Sequence, residues 1–335
     1  MKFAMRWMSW IGVCLAATVT TATVTAWAQA DNYPSRTITV VVPFPAGGLT
    51  DVPTRLAASL LQEKIGQSVV IENRTGASGT IGAAYVTRAA PDGYTLHANS
   101  IGDAQNIHYM PLSYHPVDDF AMIGWVVDGP PMILVIDAKL PIKTVAELVA
   151  DAKANPSKYS IGTSGPASSP NAALAQFNAA AGIQLQAVHY RGSGESATAA
   201  ATSAIQGTFT YFSQGKALVD SGRLRALAVA GSKRMQAWPD VPTFTESGFK
   251  IDVRGFVGLG APARTPKPIV AYLNKHLNEV LQTDQFKKPM AELGMAPPPV
   301  ADNTPEKFDK FIRDEIARQG VLAELTGQKI APSKQ

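Results

Sequence analysis

Cysteine is almost absent. The chain of 335 residues has one, Cys14, and it falls in an N-terminal stretch expected to be removed. Disulfide stapling and thiol chemistry are therefore excluded for the rest of the chain, which must rely on core burial. Histidine is scarce too. His97, His108, His115, His189 and His276 show no pairing of the H-E-x-x-H kind, so no zinc site is expected. Charge of one sign is also lacking. The net charge is +4, and loss of Lys2 and Arg6 with the N-terminal stretch leaves +2. No basic stripe with interleaved aromatics points to nucleic acid. Past residue 30, no apolar run reaches the ~18 residues of a membrane span.

Several signatures of catalysis or cofactor binding are missing as well. Ser164 is followed two places on by Pro166, not Gly, so there is no G-x-S-x-G elbow. "GASGTIG" (76–82) does not fit the dinucleotide pattern G-x-G-x-x-G, and no G-x-x-x-x-G-K-[ST] loop occurs. No cofactor and no metal are expected.

What is present begins at the N-terminus. Lys2 and Arg6 precede "WIGVCLAATVTTATVTAWA", which is apolar or small throughout, and "AWAQA" offers A-x-A cleavage before Gln29 or Asp31. Residues 1–30 read as a secretory signal peptide, threonine-diluted and unlike an anchor. Val13 makes "IGVC" a poor lipoprotein box. The expected location is the periplasm.

The remaining chain alternates strand-like and helix-like pieces. "ITVVVPF" (38–44) is a continuous apolar run suited to a strand buried on both faces. In 52–65, Leu56, Leu60, Leu61 and Ile65 share a helical face that Gly66 closes. Strands are expected at 69–73, 94–99, 132–137, 159–164, 185–190, 209–212 and 224–231, with helices near 80–90, 169–181 and 195–206 and another opened by the capping-box spacing at 144–148. A strand leaving a turn at 257–266 and two or three helices fill the C-terminal part. Repeated β-α-β units predict largely parallel sheets covered by helices. The stretches 38–65 and 159–181 rhyme as strand–loop–helix, which suggests two α/β domains with loops at the carboxyl ends of their sheets.

Three of these loops are candidates for binding. In "VVPFPAGGLTDVP" (41–53), Gly47 and Gly48 let a ligand approach the backbone at a helix start, where unpaired N–H groups carry partial positive charge. Thr50 adds a hydroxyl, and Asp51 reads as the helix cap. The same composition also fits an ordinary turn. "GTSGPASSPN" (162–171) brings Thr163, Ser164, Gly165, Ser168 and Ser169 to a second junction, with Ser168 or Ser169 as cap and Pro170 in the first turn. It fits an anion site or a plain capped helix. "HYRGSGES" (189–196) offers Gly192 and Ser193 to the same cleft, or is a flexible turn.

Taken together and in order, these stretches resemble the substrate-binding proteins of tripartite tricarboxylate transporters, the Bordetella uptake gene family. The resemblance rests on 33–96, on 140–174, on "VHYRGSGES" (188–196), on 222–249 and on "GLGAPARTPKPIVAYLN" (258–274). It implies an α/β fold of the type II periplasmic binding protein kind, two domains around a hinged ligand cleft. Residues 31–134 with 254–335 would form the first domain and 135–253 the second. It implies a monomeric receptor, not an enzyme, that passes a small carboxylate to a membrane permease of one large and one small subunit. The loop from Pro43 to Asp51, including Phe44 and Ala46, would hold one carboxylate, and the loop with Thr163, Ser164, Gly165, Ser168 and Ser169 the other end.

The sequence departs from the family pattern at several places. Asn171 stands where His is frequent, Ala167 where Gly is, and Glu195 where Pro is. The stretch 207–225 is short and lacks the Asp that meets a ligand amino group in some relatives. Phe212, Ser213, Gln214 and Lys216 occupy that neighbourhood. This favours an acid without an amino group, with Phe212 and Phe256 against an aromatic or apolar body. Two other outputs fit the sequence: presentation of the ligand to a membrane sensor kinase, and a secreted hydrolase using Ser164.

Overall fold

The computed structural model describes residues 32–325 except 130–131, 166–167, 232–233, 236, 252 and 254. The expected signal peptide lies outside the described residues.

In the first half, β1 (Ile38–Val42) leads to α1 (Asp51–Ile65), β2 (Val69–Asn73), α2 (Thr80–Thr87), β3 (Thr95–Ser100), α3 (Ile101–Tyr109) and β4 (Phe120–Asp128). The middle holds β5 (Met132–Asp137), α4 (Val145–Ala154), β6 (Ser160–Thr163), α5 (Ser169–Ala181), β7 (Gln186–His189), α6 (Ser193–Ala201), β8 (Gly207–Tyr211), α7 (Phe212–Asp220) and β9 (Leu224–Ala230). The last described elements are β10 (Phe256–Pro262), α8 (Lys267–Leu281), α9 (Asp284–Glu292) and α10 (Pro305–Leu325).

Two five-stranded sheets result, ordered β2-β1-β3-β10-β4 and β7-β6-β8-β5-β9. The apolar run of β1 is buried because both sheet faces are covered, Ile38, Val40 and Val42 packing on one side and Val41 on the other, while β2 and β3 flank it in parallel. The sheets are mixed and not largely parallel as the β-α-β rhythm predicted. β10 runs antiparallel to β3 and β4, and β5 antiparallel to β8 and β9. The reason is topological: β5 and β10 enter their sheets directly from the other sheet, with no crossover helix to turn the chain around.

The chain changes sheet between Asp128 and Met132 and again between Ala230 and Phe256. A boundary at 134/135 therefore cuts through β5, which lies whole in the second sheet. The two passages touch. The Gly129 N–H donates to the Gly255 carbonyl at 2.8 Å. A Cβ on Gly129 would lie 2.6 Å from the Gly255 backbone, so only glycine permits this approach.

Each sheet buries both faces. On the first, α1 and α8 cover one side through Leu61, Leu273 and Leu277, and α3 and α10 the other through Ala104, Phe308 and Ile312. On the second, Phe177, Phe209 and Phe244 pack together with centroids 5.4 to 6.3 Å apart on one face. Fully burying such a side chain is worth ~1.5–3 kcal/mol. The helix after β10 follows the first sheet, but α10 also reaches across to α5 of the second.

Candidate functional site

The loop 43–50 links β1 to α1 at the carboxyl end of the parallel strands. Gly47 has φ +76°, a left-handed turn that glycine adopts without strain. Its N–H is taken by Asp51 Oδ2 at 2.9 Å. Asp51 Oδ1 accepts from Asn73 Nδ2 and from Arg55 Nη2, both at 2.8 Å, and Asn73 Nδ2 also donates to the Phe44 carbonyl at 3.0 Å. Asp51 is thus the first helical residue, tying the loop from below. It is not the cap the sequence suggested; Thr50 occupies that position and makes no side-chain cap bond. Burial pushes the Asp51 carboxyl up, but the bonds from Arg55, Asn73 and Gly47 outweigh it and hold it below the usual carboxylate range.

The expectation that Gly47 donates to a ligand is therefore corrected, since its donor is committed to Asp51. Gly48 N–H likewise bonds the Pro45 carbonyl at 3.2 Å. Among the described residues, no hydrogen bond uses the N–H of Ala46, Leu49 or Thr50, or the Thr50 hydroxyl. Those are the donors this loop offers.

Two further segments complete the first jaw, and neither was singled out from sequence. Residues 76–79 form a left-handed turn, with φ of 126°, 44°, 54° and 94°, held by Asn106 Nδ2 on the Ser78 carbonyl at 2.9 Å. Ala77 and Ser78 each pay ~1 kcal/mol or more in that region, a strain found at binding sites. The second segment is the start of α3. Ser100 Oγ accepts from the Gly102 N–H at 3.2 Å, and Asp103 Oδ2 accepts from the Ser100 N–H at 2.7 Å. Buried His97 bonds the other Asp103 oxygen at 3.0 Å. Phe44 packs between these segments: Cβ atoms built on Gly79 and Gly102 would lie 3.1 and 3.4 Å from its ring. The S-x-x-D pattern at 100–103 was the legible signal for this helix start.

The second jaw stands at the carboxyl ends of β6, β7 and β8. Ser168 caps α5: its Oγ accepts from the Asn171 N–H at 3.4 Å and donates to the Gly165 carbonyl at 2.6 Å. Thr163 is fully buried, with Oγ1 at 2.7 Å from His189 Nδ1. Ser169 is buried, and its hydroxyl accepts from Gln105 Nε2 of α3 at 3.4 Å. Burial pushes the Tyr211 hydroxyl's pKa up, and the neighbouring Ser169 hydroxyl opposes it. Ser164 is half-buried and its hydroxyl makes no hydrogen bond among the described residues. At α6, Gly192 is the cap residue, and the Arg191 N–H reaches Glu195 Oε2 at 3.1 Å. Ser193 is buried, and its carbonyl accepts from Ser196 and Thr210. The N–H groups of Gly192, Ser193 and Gly194 make no hydrogen bond among the described residues.

Phe212 does not face a ligand. It is fully buried, edge-on to Trp238 at 4.7 Å, in the core beneath the second sheet. Because α7 starts with no intervening loop after β8, Phe212 is turned into the sheet. Phe256 is also core, packed on Phe308 and Phe311 at 6.0 and 5.1 Å. The aromatic contact inferred from these two residues is withdrawn.

Chemically, the arrangement presents helix N-termini from both sheets, rich in unpaired N–H groups and hydroxyls. That is an anion-binding geometry. Ser164 bonds no histidine among the described residues, and His189 is held by Thr163. Among the described residues, no group of three or more His, Cys, Asp or Glu could hold a metal, and no helix is long and apolar enough to cross a membrane.

The model for the "Tripartite tricarboxylate transporter family receptor" matches residues 54–327. The chain is 34% identical to Protein BugT of Bordetella pertussis over 97% of its own length and 98% of that protein's. Among solved structures it is similar to R. palustris Rpa4515 with adipate, at 32% identity and a TM-score of 0.78, covering 88% of this chain and 98% of that one. It is also similar to MatC from Rhodopseudomonas palustris with bound malate, at 29% identity and a TM-score of 0.76, covering 87% and 99%.

Proposed function

The chain belongs to the tripartite tricarboxylate transporter receptor family, and on that premise we propose that it captures a small dicarboxylate lacking an amino group in the periplasm and delivers it to a membrane permease. One observation carries the reading: on both jaws, backbone donors in the loops and first turns leading into helices have no partner among the described residues. On one jaw they are Ala46, Leu49 and Thr50; on the other, Gly192, Ser193 and Gly194. Each charge-assisted bond to a carboxylate contributes about 1.5–3 kcal/mol, and each helix start ~0.3–1 kcal/mol. A molecule with an acid at either end uses both jaws at once. Relatives solved with adipate and with malate support this class.

The domain division that serves this function is 32–129 with 255–325 against 132–253. The passages at Gly129 and Gly255 form its hinge. Closure about them would bring the jaws together and expel water, strengthening every bond to the carboxylates. Fixed N–H dipoles need no side-chain cation to do this. The lack of an amino group is supported by the carboxylates: Asp51 is already bonded by Arg55 and Asn73, and Asp220 by Lys216. Neither is open to a ligand ammonium.

Calorimetric titration tests the reading. Adipate or a shorter diacid is expected to bind, and glutamate at least about tenfold more weakly, the discrimination left when an ammonium goes unpaired. Thr50→Ala and Ser164→Ala are each expected to cost ~1–3 kcal/mol of binding. Preferential binding of glutamate or aspartate would overturn the ligand class, and unchanged affinity in both variants would overturn the site.

A further inference from the structure

One set of buried polar side chains joins the two lobes, and the anion-binding argument does not use it. Gln105 lies on α3, one turn inside the first jaw. Its Nε2 is 3.4 Å from Ser169 Oγ and 3.3 Å from Gln319 Oε1. Gln319 Nε2 is 2.6 Å from Glu315 Oε1, and Arg318 Nε pairs with the other Glu315 oxygen at 2.8 Å. Gln105, Ser169, Glu315 and Gln319 are each at most 5% exposed.

The direction of these bonds follows from one end. The Glu315 carboxylate only accepts, so Gln319 must present its amide N–H to it. Gln319 then presents its oxygen to Gln105, which must offer its own N–H groups in turn. Both hydrogens of Gln105 Nε2 are thereby used, one on Gln319 and one on Ser169. Ser169 thus ends the line as an acceptor from Gln105. Reversing either amide would set two like groups against each other.

The position of the line matters more than its strength. Gly102 at the start of α3 lies against Phe44 in the first jaw. Three residues on, Gln105 sits about 4.5 Å deeper along the helix axis. Ser169 follows directly on the Ser168 cap of the second jaw. The Gln105–Ser169 bond therefore crosses the cleft just beneath both anion-binding rims. α10, packed on α3, on β4 and on α5, holds Gln105 from behind.

We propose that Gln105 is a specificity-determining residue: by tying the second jaw to the first at the cleft floor, it sets the distance between the two carboxylate sites and so the chain length of the diacid. This rests on the dicarboxylate reading above. It acts through the separation of the jaws and not by touching the ligand.

The test is a calorimetric series of succinate, glutarate, adipate and pimelate on the wild-type protein, on Gln105→Ala and on Ser169→Ala. The second variant breaks the same bond while keeping the Ser169 position's backbone donor, so the question survives a poorly folding Gln105→Ala. The wild type is expected to show a peaked profile, with about a tenfold loss of affinity per methylene away from the best acid. In the variants the profile is expected to flatten to within about a factor of three, the discrimination left when jaw spacing is free. A profile of unchanged shape with uniformly weaker binding would reduce Gln105 to packing and overturn the proposal. Binding of no diacid by the wild type would overturn the dicarboxylate reading itself and this proposal with it, an outcome visible before any variant is made.

Discussion

Asp51 organises the first jaw through four bonds, with Gly47, Asn73 and twice with Arg55. Its carboxyl titrates below the usual range in the folded protein. The unfolded chain therefore takes up a proton first as pH falls. The stability Asp51 contributes is complete above about pH 4, the unfolded value, and is lost as pH drops through the folded one. Asp51→Asn keeps an acceptor for the Gly47 N–H but cannot titrate. Urea midpoints measured across pH should be lower for this variant at neutral pH, with a shallower acid limb below about pH 4. An acid limb as steep as the wild type's would mean Asp51 is not held by these bonds. At this scale, much of the site was legible in the sequence. Thr50, Ser168 and Gly192 stand at helix starts because small polar residues and glycine are what such positions take. The partner of each donor was not legible, because Gly47 and Asp51 are paired by a turn whose geometry no spacing rule specifies.

At the scale of elements, the expected strand at 69–73 and helix at 169–181 match β2 and α5 residue for residue. Strong apolar runs and the Ser168–Pro170 start fixed them. α3, β4 and α7 were not read. α3 follows β3 with no loop between them, and α7 follows β8 the same way, so no turn segment separates strand from helix at either junction. That is also why Phe212 was misread: an aromatic residue at a strand end looks exposed until the helix that starts there turns it inward. Phe212→Ala should cost about 3–5 kcal/mol of unfolding free energy, the cavity term of a large core residue, while diacid affinity per folded molecule is unchanged. A large loss of affinity without loss of stability would return Phe212 to the cleft.

At the scale of the molecule, β5 and β10 make both sheets mixed, and the chain passes twice between them where Gly129 meets Gly255. Local periodicity carries no information on which strand neighbours which, so the antiparallel insertions were invisible until the sheets were assembled. The two jaws follow from that assembly. Each sheet ends its parallel strands at helix starts, and the double passage holds the two ends facing each other. The account stands on a single ligand spanning both. The crystal structure of the protein with adipate tests this most directly. One carboxylate is predicted on the N–H groups of Ala46, Leu49 and Thr50, and the other at the starts of α5 and α6. Both carboxylates on one lobe, or adipate bound outside the cleft, would contradict it.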